Sequence, residues 1–169
     1  IVDCVRGHPN RKRFVATHPM WGTEYSGPAA AVPHAFQSKS VVLCDKEDSD
    51  PDAVAWVEHM YHKIGMHLLE MSAQEHDLHT AYISHISHIT SFALANTVLA
   101  KEQQANTIFE LASSGFESTV RLAKSNPGMW LPILQQNKTN ILEVLEEHIA
   151  QLYAFKTAIE TEQTEELLQ

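Results

Sequence analysis

The chain has 169 residues, 44% of them hydrophobic, and a formal net charge of −9. That length suits one domain with a buried core, or one domain plus a remnant. The acidic balance argues against a nucleic acid or an anionic membrane as partner, since both need a basic face, but it leaves room for an anionic small molecule in a local positive pocket. Two cysteines, Cys4 and Cys44, give no disulfide framework and read as reduced thiols of a cytoplasmic protein. No apolar run approaches the ~20 residues of a membrane span, and no signal-peptide pattern is present. The chain opens Ile1-Val2-Asp3 without an initiator Met and carries no Gly-x-Gly-x-x-Gly, so it reads as the C-terminal piece of a longer protein.

Residues 1–71 read as α/β. The apolar, β-branched run Phe14 to Thr17 predicts a buried strand. His18-Pro19 should end it, because proline has no N–H to give a sheet. A histidine is thereby held at a strand end, at the mouth of a loop containing Gly22, Gly27 and Pro28, where open α/β sheets place their ligands. Taken alone, a histidine before proline reads as a turn residue. Val41-Val-Leu-Cys44 predicts a second strand and Asp45 to Asp50 a polar loop. Asp50 caps and Pro51 opens a helix with Val54, Val57, Tyr61 and Ile64 on one face, ended by Gly65. Met66 to Met71 is a third strand candidate. Strand, strand, helix, strand is the tail of a sheet domain.

The character changes at Ser72, and residues 72–169 read as all-helical. Ser72-Ala-Gln-Glu75 is a capping box. From there to about Lys101 no proline or glycine intervenes, and Leu78, Ile83, Ile86, Ile89, Phe92, Leu94 and Val98 face every side, which predicts one buried central helix. Shorter helices follow near 103–112, 116–124 and 128–136, broken at Ser113-Ser-Gly115 and Ser125-Asn-Pro-Gly128. The last helix runs from about Asn137 to Glu160. Its seam of Ile141, Leu145, His148, Leu152, Phe155 and Ile159 fits an intramolecular core or a subunit contact equally well. Glu160 to Gln169 reads as a solvated, frayed end.

Four histidines on the long helix invite a metal reading. With His76 at zero, His79 falls near about 300°, His85 near about 180° and His88 near about 120°, so the four surround the helix rather than face one ion. His85 and His88 share a face, but two ligands leave most of a metal shell unfilled, and no metal is expected. They read better as neutral hydrogen-bonding groups at a buried polar spot to which Ser84 and Ser87 add hydroxyls. Arg121, between Val120 and Leu122, is either a surface arginine lying on its apolar stem or a fork that grips a carboxylate with two parallel hydrogen bonds. Trp130, after the Ser-Asn-Pro-Gly turn, either packs a site wall or anchors the next helix.

Five motifs, Thr17-His-Pro-Met-Trp-Gly-Thr-Glu24, Met71-Ser-Ala-Gln-Glu-His-Asp77, Ser84-His-Ile-Ser-His88, Gly115-Phe116 through Arg121-Leu-Ala123 and Asn126-Pro-Gly-Met-Trp130, stand here in the order and spacing of the prephenate dehydrogenases. The chain resembles that family from about Arg13 to Ile159. The resemblance implies the end of a Rossmann-like nucleotide-binding domain, residues 1–71, followed by an all-helical dimerisation and substrate-binding domain, residues 72–169. It implies oxidation of prephenate, or in some members arogenate, with NAD or NADP, release of carbon dioxide and formation of 4-hydroxyphenylpyruvate for tyrosine, by a homodimer. His18 matches the family's catalytic histidine, which meets the ring hydroxyl. Arg121 matches the arginine that binds a substrate carboxylate, and His85 and His88 the paired pocket histidines. Thr23, Ser84 and Trp130 are expected beside the substrate, and no cofactor-binding residue is assigned.

The chemistry fits these residue types. Loss of hydride from the hydroxyl-bearing carbon leaves a developing carbonyl whose proton must go to a base, and a neutral histidine suits that task. A dicarboxylate substrate needs a fixed cation in an acidic protein. The chain departs from the family at Ser87, where proline is usual, at Glu117-Ser118, where a basic-acidic pair is common, and at Val120, where threonine is common. On the residues alone, a non-catalytic helical dimerisation or ligand-sensing module is the other reading.

Overall fold

The computed structural model describes residues 1–163 except Glu24, Ser26 and Asn106, and the side chain of Ala105 is not described. The Glu-rich end from 164 onward therefore lies outside the described residues, as does Glu24 of the first motif. The chain divides into two compact units, Ile1–Asp77 and Leu78–Gln169.

The first unit is built on a three-stranded sheet of order β1-β2-β3, with β1 at Ala16–Pro19, β2 at Ser40–Cys44 and β3 at His67–Met71. A four-residue helix, α1 (Val2–Val5), precedes it. The central strand is the one with the continuous apolar run, and Val41, Val42, Leu43 and Cys44 are all buried, as a strand covered on both faces requires. It pairs in parallel with β3 and antiparallel with β1, with His18 opposite Val42 and Pro19 opposite Val41. Helix α2 (Pro51–Ile64) makes the crossover. Its proline sits in the first turn, where no N–H is missed, and Gly65 ends it at φ 84, a left-handed conformation that suits a residue without Cβ. Tyr61 packs with Val41, Leu43 and Met66 to form the core.

Several expectations change here. β1 does not stop before His18 but includes His18 and Pro19; it is an edge strand, so the missing proline N–H removes no ladder bond that the sheet needs. Ile64 is exposed rather than part of the helix face, and of the two cysteines, both of which read as lying in apolar surroundings, Cys4 is exposed while Cys44 is buried. Burial pushes the Cys44 thiol up to about 11 and makes it inert as a nucleophile.

The helix that begins at Ser72 is not continuous. α3 (Ala73–Thr80) leads into a π-helical turn, Ala81–His85, and then α4 (Ile86–Ala105). The capping box forms as written: the Ser72 hydroxyl accepts from Glu75 N–H at 3.1 Å, and Glu75 accepts from Ser72 N–H at 2.9 Å. The π turn widens the backbone by a residue, so His85 and His88 do not keep the phase with His76 that an ideal helix would give them. α4 is not buried all round either, since Leu99 is exposed in this single chain. The helix expected near 103–112 reduces to the end of α4 and a 3-10 turn at Phe109–Leu111.

The second unit continues with α5 (Ser114–Val120), a 3-10 turn at Arg121–Lys124, α6 (Pro127–Gln136) and α7 (Lys138–Glu160). Asn126 caps α6 by accepting Gly128 N–H at 2.8 Å. Its core gathers Ala81, Ile141 and Val144 with Ile86, Ile89 and Leu134. The α7 seam divides. Its first half packs inward through Ile141, whereas Leu152, Phe155 and Ile159 are all more than half exposed.

Candidate active site

In the first unit, three links bring His18 to a defined environment. Thr17, its neighbour, shares a 2.8 Å hydrogen bond with the Tyr61 hydroxyl, which ties β1 to α2. Asp45, in the left-handed conformation just past β2, accepts the N–H of Ala73 at 3.0 Å and so fixes the start of α3. One turn into that helix, His76 presents Nε2 to His18 Nδ1 at 2.7 Å, while its own Nδ1 lies 2.9 Å from Asp77 Oδ1. The two rings meet edge to face, centroids 5.0 Å apart. His18 is the exposed residue of β1, with one side of its ring packed against His76. Desolvation of the packed part of the ring, and next the His76 ring, lower its pKa below the ordinary histidine value, with Asp77 opposing them. A histidine so placed is neutral near pH 7 and able to accept a proton.

In the second unit, Trp130 organises a cluster. Its ring stacks on His88 at 3.6 Å between centroids and meets His85 edge-on at 5.9 Å. His88 Nδ1 donates to the Ser84 carbonyl at 2.9 Å, which leaves Nε2 as an acceptor. Burial lowers the His88 pKa; the Ser84 bond opposes that, and the Arg121 cation adds to it. Asn137 Nδ2 donates to His85 Nδ1 at 3.2 Å. Trp130 is 6% exposed, and its Nε1–H is buried without a hydrogen-bond partner among the described residues. An orphaned donor costs about 1–3 kcal/mol until an acceptor meets it.

Arg121 opens its 3-10 turn as an exposed residue. Buried Ser91 of α4 pins the backbone on both sides of it, donating to the Thr119 carbonyl at 3.1 Å and accepting from Ala123 N–H at 3.0 Å. The arginine therefore projects from a fixed base. Thr23 is exposed in a local turn, where its hydroxyl accepts from Tyr25 N–H at 3.3 Å. Ser84 contributes its carbonyl to hold His88. Ser87, at the position where the resemblance leads one to expect proline, donates to the Ile83 carbonyl at 3.3 Å. Among the described residues, no three His, Cys, Asp or Glu side chains gather as a metal shell would.

The model for the prephenate dehydrogenase nucleotide-binding domain matches residues 1–70, and that for the prephenate dehydrogenase dimerization domain matches residues 72–169. The chain belongs to the prephenate dehydrogenase family. It is 35% identical over 159 residues to a prephenate dehydrogenase of Bacillus subtilis, covering 94% of this chain and 43% of that one. It is 32% identical over 157 residues to a cyclohexadienyl dehydrogenase of Zymomonas mobilis, covering 92% and 54%. A crystal structure of prephenate dehydrogenase from A. aeolicus, in complex with hydroxyphenyl propionate and NAD+, superposes with a TM-score of 0.85 at 32% identity, over 93% of this chain and 55% of that one. The chain thus spans about half the length of these relatives.

Membership in the family raises the question of a dinucleotide. The turn from β2 to α2 carries Asp45, Glu47, Asp48 and Asp50 and no glycine. A pyrophosphate needs bare backbone amides at a helix N-terminus, and four carboxylates repel it. The residues of this turn do not fit the cofactor's phosphates. Calorimetric titration of the 169-residue chain with NAD and with NADP is accordingly expected to show no micromolar binding; a micromolar Kd for either would contradict this.

Proposed function

We propose that the chain is part of a dehydrogenase of tyrosine biosynthesis that oxidises prephenate with NAD or NADP, releasing carbon dioxide and 4-hydroxyphenylpyruvate, in the cytoplasm. The observation that carries this reading is His18, a neutral ring on the edge strand within the family's Thr-His-Pro-Met motif, with its pKa held down by burial and by His76. The dehydrogenase names of the relatives support it over a non-catalytic dimerisation or ligand-sensing module.

In this reading His18 takes the proton of the substrate's ring hydroxyl as the carbon beneath it is oxidised. Arg121 holds a substrate carboxylate with its two-pronged fork, steadied from behind by Ser91. Trp130 offers its unpartnered Nε1–H to a substrate oxygen, and His88 its free-edge Nε2, with His85, Ser84 and Thr23 lining the substrate. The complete enzyme, given prephenate with each cofactor, should form 4-hydroxyphenylpyruvate and carbon dioxide. Absence of prephenate turnover with both cofactors, or turnover of arogenate alone, would overturn the assignment.

We also place the division of labour at residues 1–71 and 72–169, with a homodimer formed through the second part. The support is the exposed apolar set on α7, Leu152, Tyr153, Phe155 and Ile159, together with Leu111 at 85% exposure, more apolar surface than a lone helical unit usually leaves in water. Sedimentation of the chain at micromolar concentration should give about twice its 19.0 kDa mass; a clean monomer would contradict the dimer.

A further inference from the structure

We propose that His76 and Asp77 are positioning residues that fix the tautomer of His18, leaving the lone pair on Nε2 of His18 to receive the substrate proton. The inference rests on the dehydrogenase reading for what that lone pair does, but not for where it is.

An ionised carboxylate only accepts, so His76 Nδ1, 2.9 Å from Asp77 Oδ1, carries a hydrogen. A neutral His76 then has its lone pair on Nε2. That atom lies 2.7 Å from His18 Nδ1, so His18 Nδ1 must be the donor. Which nitrogen of an imidazole is bare is set by the bond the other one makes, and here the bare nitrogen of His18 is Nε2. Without such a bond, a histidine in water favours the opposite form, with the hydrogen on Nε2 and no base at that edge. The side chain of His76 is only 15% exposed, so its ring nitrogens depend on these partners. Asp45 and the Ser72–Glu75 box hold the first turn of α3, which keeps His76 at this distance. As the proton arrives on Nε2, the imidazolium keeps donating through Nδ1 to His76, and the Asp77 charge lies behind it. From β2 the residue opposite His18 is Val42, which is not titratable, and among the described residues the charged or titratable groups acting on the ring are His76 and Asp77 of α3.

Long-range proton–nitrogen NMR spectra of the histidine rings in the 169-residue chain read the tautomer directly. The wild type at pH 8 should show His18 with a protonated Nδ1 and a bare Nε2. His76→Leu removes the acceptor and should move His18 mainly to the Nε2-protonated form. His76→Gln, whose Oε1 stands near the place of the imidazole Nε2 and can accept, should keep the wild-type form. In the complete enzyme, His76→Leu should lower kcat about 10–100-fold, the scale of a misaligned reacting group, with KM within about threefold, and His76→Gln should recover most of that loss. A wild-type His18 protonated on Nε2, or a tautomer that His76→Leu leaves unchanged, would overturn the proposal. Failure of the dehydrogenase reading looks different: the wild-type enzyme would not turn over prephenate, and the spectra would still show the Nδ1–H form.

Discussion

His18→Asn in the complete enzyme is expected to lower kcat by about 10²–10⁴, the usual range for a lost general base, with much less change in KM. Asparagine can still hydrogen-bond the ring hydroxyl but cannot take its proton. The fold should tolerate the change. His18 sits on the edge strand, exposed, and contributes no side chain to the core of Val41, Leu43, Tyr61 and Met66. Circular dichroism should therefore match the wild type, which separates lost chemistry from lost structure. A kcat within about fivefold of wild type would remove His18 as the base, since even modest general-base catalysis contributes more than that.

Arg121→Lys should raise KM for prephenate about 10–100-fold while kcat falls far less. Hydrogen bonds to charged groups contribute about 1.5–3 kcal/mol, and every 1.4 kcal/mol is tenfold. Lysine keeps the charge but loses the planar fork. A carboxylate distant from the reacting carbon is held alike in ground and transition states, so its loss shows in KM. The backbone under Arg121 is pinned by Ser91 at Thr119 and Ala123, and the substitution leaves that anchor in place. Steady-state kinetics on the two proteins give the split. An unchanged KM would take Arg121 out of substrate binding.

What could be read from the sequence was local punctuation. Pro51 and Gly65 bound α2 because each acts through its own backbone, and Ser72 with Glu75 announces α3 for the same reason. The continuous apolar run at 41–44 marks a strand covered on both faces, which is what β2 is. Three features were not readable. β1 runs through His18 and Pro19 because it lies at the sheet edge, and edge position is a property of the assembled sheet. The π turn at Ala81–His85 shifts the helical phase by an inserted residue that no composition signal announces. His18 meets His76 across 58 positions, and Ser91 meets Ala123 across 32. Such pairings come from the first turn of α3 meeting β1 and from α4 meeting the Arg121 turn. His76 stands in the sequence as one of four histidines around a helix and inside the Met71–Asp77 motif, with no role assigned to it, and its partner on β1 gives it one.

Whether His18 is the base is tested most directly by kcat/KM for prephenate measured against pH in the wild-type enzyme and in His18→Asn. A base must be neutral to act, so the wild-type value should be low below the pKa of His18, rise as pH climbs through it and level off above. Burial and the His76 ring lower that pKa, so the midpoint should fall below the ordinary histidine value of about 6.5. The mutant should lack this limb and stay slow across the range. A mutant that keeps the wild-type limb would show that another group is the titrating base.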